Sequence, residues 1–205
     1  MQRYFIIGTD TDCGKTYVTC QLLKQLENAV AIKPIESGGT ADSGQFSSHQ
    51  PWHHAPLSRY VFEPAIAPHI AAAKANTPIT FDALDNFCSA LELAPYKTLL
   101  IETTGGVMCP LNATQTWLDY VKHTKTPVIL VIGMRLGCLN HALLTAHALQ
   151  SHHIPCAGWI ANCSDPNMEA LQENIQTLQE KLDYRHLATI PFNGTIRYEE
   201  RILTD

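Results

Sequence analysis

A short apolar strand at residues 4–7 runs directly into Gly8-Thr9-Asp10-Thr11-Asp12-Cys13-Gly14-Lys15-Thr16, and Val18, Leu22, Leu23 and Leu26 then recur at helical spacing. A strand that turns through glycine into a helix opening on Gly-Lys-Thr makes a phosphate-binding loop, because the backbone N–H groups of the turn point at phosphate oxygens where the helix begins. In the pattern G-x-x-x-x-G-K-[ST] the lysine reaches the β and γ phosphates and the hydroxyl meets a Mg²⁺ between them, which assigns those roles to Lys15 and Thr16. The chain departs from the pattern once. Counting back from Gly14 puts Thr9 where the first glycine belongs, with Gly8 one position early.

Further apolar runs at 30–32, 98–101, 128–132, 157–161 and 186–190 read as short buried strands, and 17–26, 141–151 and 168–182 carry helical period. Strands alternating with helices predict an α/β fold with a mostly parallel sheet and helices on both faces, the P-loop NTPase arrangement. A chain of 205 residues supports one such domain, spanning 1–205, and is short for two. Ligands of these sheets gather beyond the carboxyl ends of the strands. Residues 38–58, rich in Gly, Ser, His and Pro, read as one long functional loop.

Composition excludes several classes. No apolar run approaches the ~20 residues of a membrane span, and the passage from Met1 straight into a strand leaves no room for a cleavable leader, so the cytoplasm is expected. A formal charge of −5 without a Lys/Arg cluster argues against a nucleic-acid surface. Seven cysteines without a CxxC pair fit reduced, buried thiols better than a disulfide framework or a zinc site. The ten histidines include adjacent pairs, His53-His54 and His152-His153, in polar stretches and no HExxH spacing, so they read as solvated or core side chains.

The residues just past the strands complete the pattern: Lys33-Pro34-Ile35-Glu36-Ser37-Gly38, then Glu102-Thr103-Thr104-Gly105-Gly106, then Gly133-Met134-Arg135-Leu136-Gly137-Cys138-Leu139-Asn140-His141. With Ala67-Pro68-His69-Ile70 and Ala157-Gly158-Trp159-Ile160-Ala161-Asn162, this set resembles the dethiobiotin synthetases, whose phosphate loop also carries Thr at the position of Thr9. The chain departs from that family where Thr103-Thr104 stand for Gly-Ala, and in the poor context of Asp42, the counterpart of a loop acid that binds magnesium.

The resemblance implies an ATP- and Mg²⁺-dependent ligase that joins CO₂ to 7,8-diaminopelargonic acid and closes a cyclic urea through a carbamate and a carbamic-phosphoric anhydride. It implies nucleotide contacts from Asp12, Cys13, Gly14, Lys15, Thr16 and Tyr17, with Asn162 and the backbone of Ile190, Pro191 and Phe192 at the purine. Mg²⁺ would be held by Thr16, Asp42 and Glu102. Lys15, Lys33 and Thr11 are the implied catalytic residues, and Thr11, Lys33, Ser37 and Pro68 the diamine contacts. Gly137, Cys138, Leu139 and Asn140 of a second subunit would close the carboxylate end, making a homodimer with shared sites. The alternative is a partition-type P-loop ATPase switch that binds protein partners. Its loop carries a lysine where this chain has Asp10, an acidic residue unable to stabilise phosphate charge across a dimer.

Overall fold

The computed structural model describes residues 1–50, 57–91 and 95–199. In chain order the first elements are β1 (Gln2–Gly8), α1 (Lys15–Gln25), β2 (Ala29–Ile32), β3 (Ile35–Ser37), α2 (Ala41–Ser47), β4 (Tyr60–Phe62), α3 (Pro68–Lys74) and α4 (Phe81–Ser89). They are followed by β5 (Thr98–Gly106), α5 (Trp117–Thr124), β6 (Val128–Gly133), α6 (Cys138–Ser151), β7 (Cys156–Asn162), α7 (Leu171–Lys181), β8 (His186–Ile190) and β9 (Arg197–Tyr198). Seven strands form one sheet in the order β2-β5-β1-β6-β7-β8-β9, all pairs parallel except β8 with the two-residue edge β9; β3 and β4 pair parallel in a small second sheet.

Alternation along the buried strands sorts the core into two faces, as the two-residue period of a strand requires. Phe5, Ile7, Val30, Leu99 and Leu130 pack with Leu84 of α4, Trp117 and Val121 of α5, Ala142 and Leu149 of α6 and Leu178 of α7. Ile6, Ala31, Leu100, Ile129 and Val131 pack on the other side with Val18, Leu22 and Leu23 of α1 and Phe46 of α2. The expected α/β architecture, a mostly parallel sheet with helices on both faces, is what the chain adopts.

Three sequence readings need correction. The stretch 38–58 is not one loop: α2 forms in it, held by the fully buried Phe46, while 51–56, including His53-His54, lies outside the described residues. Helix α6 begins earlier than the apolar period suggests, at Cys138 after a glycine whose φ is +93°, whereas α1 opens at Lys15 directly after Gly14, as the motif implies. The short strands β3 and β4, three residues each, carry too little pattern to be read, and helices α3, α4 and α5 also lie in segments that the sequence reading left unassigned. All seven cysteines are free; burial pushes the thiols of Cys20 and Cys88 up to about 11 and Cys156 up to about 12, so these three stay protonated at neutral pH. Among the described residues no helix is long and apolar enough to cross a membrane.

Candidate active site

The phosphate loop joins β1 to α1 at the centre of the sheet. Gly8 answers the displaced-glycine question: a Cβ there would meet Cys13 Sγ at 2.4 Å and Lys15 Nζ at 2.9 Å, so the loop needs its bare backbone at this position. A Cβ on Gly14 would meet Asn162 Nδ2 at 2.0 Å. That amide, at the end of β7 and 5% exposed, donates to the Cys13 carbonyl at 2.9 Å and so ties the loop to a strand two places along the sheet from β1. Lys15 is 6% exposed, and its ammonium donates to the Asp10 carbonyl at 3.0 Å.

Lys33 follows β2, and Glu102 lies in β5 beside it, so adjacent parallel strands deliver opposite charges to the same end of the sheet. Lys33 Nζ donates to Glu102 Oε1 at 2.8 Å and also to Asp42 Oδ2. Glu102, fully buried, accepts from Thr16 Oγ1 at 2.7 Å on one oxygen and from Thr19 Oγ1 at 2.9 Å on the other. Burial alone would lower the pKa of Lys33; the charges and hydrogen bonds of Glu102 and Asp42 outweigh it and hold the ammonium above its usual value.

A cavity of about 810 Å³ opens over this floor. Of the residues expected in the site, Thr11, Asp12, Gly14, Lys15, Thr16 and Lys33 line it, as do Ser37, Asp42, Pro68 and Glu102. Ser37 Oγ is buried without a hydrogen-bond partner. A buried hydroxyl is costly to leave unanswered.

The remaining expected residues stand around the cavity. Cys13 and Ile190 are buried. Tyr17 Oη donates to the Gly194 carbonyl at 2.7 Å, binding α1 to the turn that carries Pro191 and the half-exposed Phe192. Gly137, Cys138, Leu139 and Asn140 do not line the cavity of their own chain. Their loop touches the phosphate loop through Arg135, whose Nη2 donates to Asp10 Oδ2 at 2.6 Å, while Asp10 Oδ1 accepts the Thr11 N–H at 2.7 Å.

Sequence reasoning missed Thr19 and the wall residue Cys109, and it placed Arg135 and the wall residue Thr104 in strand-end stretches without giving either a role. Thr104 Oγ1 donates to the Ile35 carbonyl and Thr103 Oγ1 to the Ile6 carbonyl at 3.2 Å, so the hydroxyls that replace Gly-Ala anchor the end of β5 to β3 and β1. Thr19 was recoverable, since it shares a helix face with Thr16 one turn before; nothing in the sequence marks Cys109.

The donors on the floor suit a small hard cation. Thr16, Asp42 and Glu102 offer one hydroxyl and two carboxylates, all oxygen, as Mg²⁺ prefers when phosphates and water supply the rest. Among the described residues no group of three or more His, Cys, Asp or Glu that could hold a metal ion is found.

The sequence model of a family described as an AAA domain matches residues 2–200. The ATP-dependent dethiobiotin synthetase BioD of Legionella pneumophila (strain Corby) is 46% identical over 204 residues, 96% of each chain. The chain belongs to the dethiobiotin synthetase family. A second member, from Pseudoalteromonas translucida (strain TAC 125), is 41% identical and covers 94% of this chain and 91% of its own. As a member of this family the chain is an ATP-using ligase of biotin biosynthesis, and the partition-switch alternative is set aside.

Solved structures resemble it in fold alone. The septum site-determining protein MinD of Pyrococcus horikoshii, complexed with Mg-ADP, matches with a TM-score of 0.55 at 18% identity, covering 93% of this chain and 82% of that one. A ParA family ATPase from Chlorobium tepidum matches with a TM-score of 0.54 at 12% identity over 93% and 83%.

Proposed function

We propose that the cavity joins CO₂ to 7,8-diaminopelargonic acid and closes the cyclic urea of dethiobiotin at the expense of ATP, with 1–205 acting as one catalytic domain in the cytoplasm. The observation that carries this reading is Lys33, a buried ammonium clasped by Glu102 and Asp42 beside Lys15, Thr16 and the unanswered hydroxyl of Ser37.

An amine that captures CO₂ forms a carbamate, whose oxygen is a poor leaving group. The carbamate oxygen attacks the γ-phosphorus of ATP, ADP departs, and the second amine attacks the carbonyl carbon of the mixed anhydride, releasing phosphate and closing the ring. Phosphoryl transfer asks the protein mainly for in-line positioning and for cations matched to the transferring oxygens. Lys15 supplies one such charge from the start of α1. Lys33, kept protonated by its two carboxylates, stabilises and orients the carbamate as a compact cation. Thr11 and Ser37 hydrogen-bond the same end of the diamine, and Pro68 packs beside it. Thr16, Asp42 and Glu102 would hold Mg²⁺, which would supply positive charge to offset that of the phosphates.

Asp12, Cys13, Gly14 and Tyr17 continue the nucleotide path beyond Lys15. At the purine, Asn162 offers its amide oxygen as an acceptor and Ile190, Pro191 and Phe192 offer backbone and an apolar face. A homodimer completes the diamine site, with Gly137, Cys138, Leu139 and Asn140 of one chain closing the carboxylate end of the substrate on the other. Two exposed leucines support it: Leu136 is 98% and Leu144, on α6, 61% exposed. The assay that tests the whole reading is phosphate release from ATP. Release that depends on both bicarbonate and 7,8-diaminopelargonic acid is expected; release with neither would overturn it.

A further inference from the structure

We propose that Glu36 is a positioning residue that sets Asp42 on the cavity floor, an inference that rests on the reading of Asp42 as a metal ligand. Glu36 lies in β3, is 1% exposed and touches no ligand group itself. Its carboxylate answers two donors from opposite ends of the excursion that carries α2: Oε2 accepts the Ser43 N–H at 3.1 Å, and Oε1 accepts the Ser58 hydroxyl.

Ser43 directly follows Asp42 in the first turn of α2. That turn lacks a cap of its own, since the Thr40 side chain makes no capping hydrogen bond. A helix of seven residues does not hold its shape alone, and its opening N–H groups need acceptors from elsewhere. Glu36 supplies one with a full charge. At the far end of the excursion the Ala31 N–H donates to Gln50 Oε1 at 2.6 Å. Asp42 itself is the least enclosed member of the floor, its side chain 43% exposed against 0% for Glu102. Its placement against Lys33 therefore depends on the backbone beneath it, and Glu36 grips that backbone one residue away.

The test measures metal binding directly, by the paramagnetic resonance signal of free Mn²⁺ titrated with the full chain and saturating ADP. Wild type, Glu36→Gln, Asp42→Asn and the double variant are compared, with circular dichroism to verify the fold and ADP affinity without metal as the reference. Glu36→Gln leaves one acceptor for two donors and should weaken Mn²⁺ about tenfold, as loss of a group that orients a metal ligand does. The double variant should bind no more weakly than Asp42→Asn alone. Ser58→Ala, which removes one donor from the same carboxylate, should weaken Mn²⁺ less, and it carries the same cycle if Glu36→Gln does not fold. If Asp42→Asn weakens Mn²⁺ but Glu36→Gln and Ser58→Ala do not, or if the effects add, the positioning role is overturned. If Asp42→Asn binds Mn²⁺ like wild type, the metal reading of Asp42 fails and the proposal with it.

Discussion

On the floor of the cavity, Lys33 and Glu102 are 4% and 0% exposed and are held by partners from α1, α2 and the neighbouring strand. At the turn between β6 and α6 the chain does the reverse: Leu136 is 98% exposed, and the one ion pair, Arg135 with Asp10, has side chains 38% and 44% exposed. The floor is assembled within one chain. The turn instead presents the Leu136 side chain outward. Charges that must be exact in position and distance are thus placed where packing already fixes them.

The largest effect expected on this contrast is at Lys15. Lys15→Ala should lower turnover at least about a hundredfold with an unchanged circular dichroism spectrum, because the cation acts on charge that develops in the transition state. A folded variant keeping a tenth of the rate would remove Lys15 from the chemistry. Next come the two carboxylates. Glu102→Gln should cost about 3 kcal/mol in denaturant unfolding, since it strips a buried partner from Lys33, and it should raise the Mg²⁺ needed for half-maximal rate more than Asp42→Asn does. The opposite order would mean that enclosure does not rank these ligands.

A smaller, partial signal tests the outer turn. Lys33→Ala and Asn140→Asp, each nearly inactive, are unfolded and refolded together; half the dimers are then mixed and each holds one intact site of two, so about a quarter of wild-type activity should return. A mixture that stays inactive while mass spectrometry confirms mixed dimers would put the whole site in one chain. The smallest effect is at Arg135. A half-exposed ion pair is worth about 1 kcal/mol at most, so Arg135→Met should leave the melting temperature nearly unchanged and raise KM for the diamine a few-fold through Thr11. A loss as large as that of Glu102→Gln would erase the distinction between the two regions.

What the sequence disclosed follows the same division. Strands β1, β2, β5, β6, β7 and β8 were legible because parallel strands buried on both faces become continuous apolar runs. The floor was legible in part. Lys15 and Thr16 belong to a motif with fixed spacing, and Glu102 directly follows the apolar run 98–101, although β5 continues through it to Gly106, whereas Asp42 came only from resemblance. Its helix has Gly44 at its centre and serines around it, a poor helix by local preference that persists through Phe46 and Glu36. No local rule reads such tertiary support. Arg135 lies in the strand-end stretch that the sequence singles out, yet its partner Asp10 sits 125 residues earlier, and only the adjacency of β1 and β6 unites them.

That adjacency has a consequence for how the molecule is made. The first strand in chain order lies inside the sheet: β1 pairs with β5, which begins at Thr98, and with β6, which begins at Val128. During synthesis it therefore has neither neighbour until the residues of β5 and β6 have been made, and the phosphate loop follows an unpaired, apolar segment until then. Pairings so distant in sequence close slowly and expose strand edges meanwhile. Fragments that stop short of residue 98 would keep the complete phosphate-loop motif and still lack both strands that flank β1, so the most recognisable part of this chain depends for its shape on residues far beyond it.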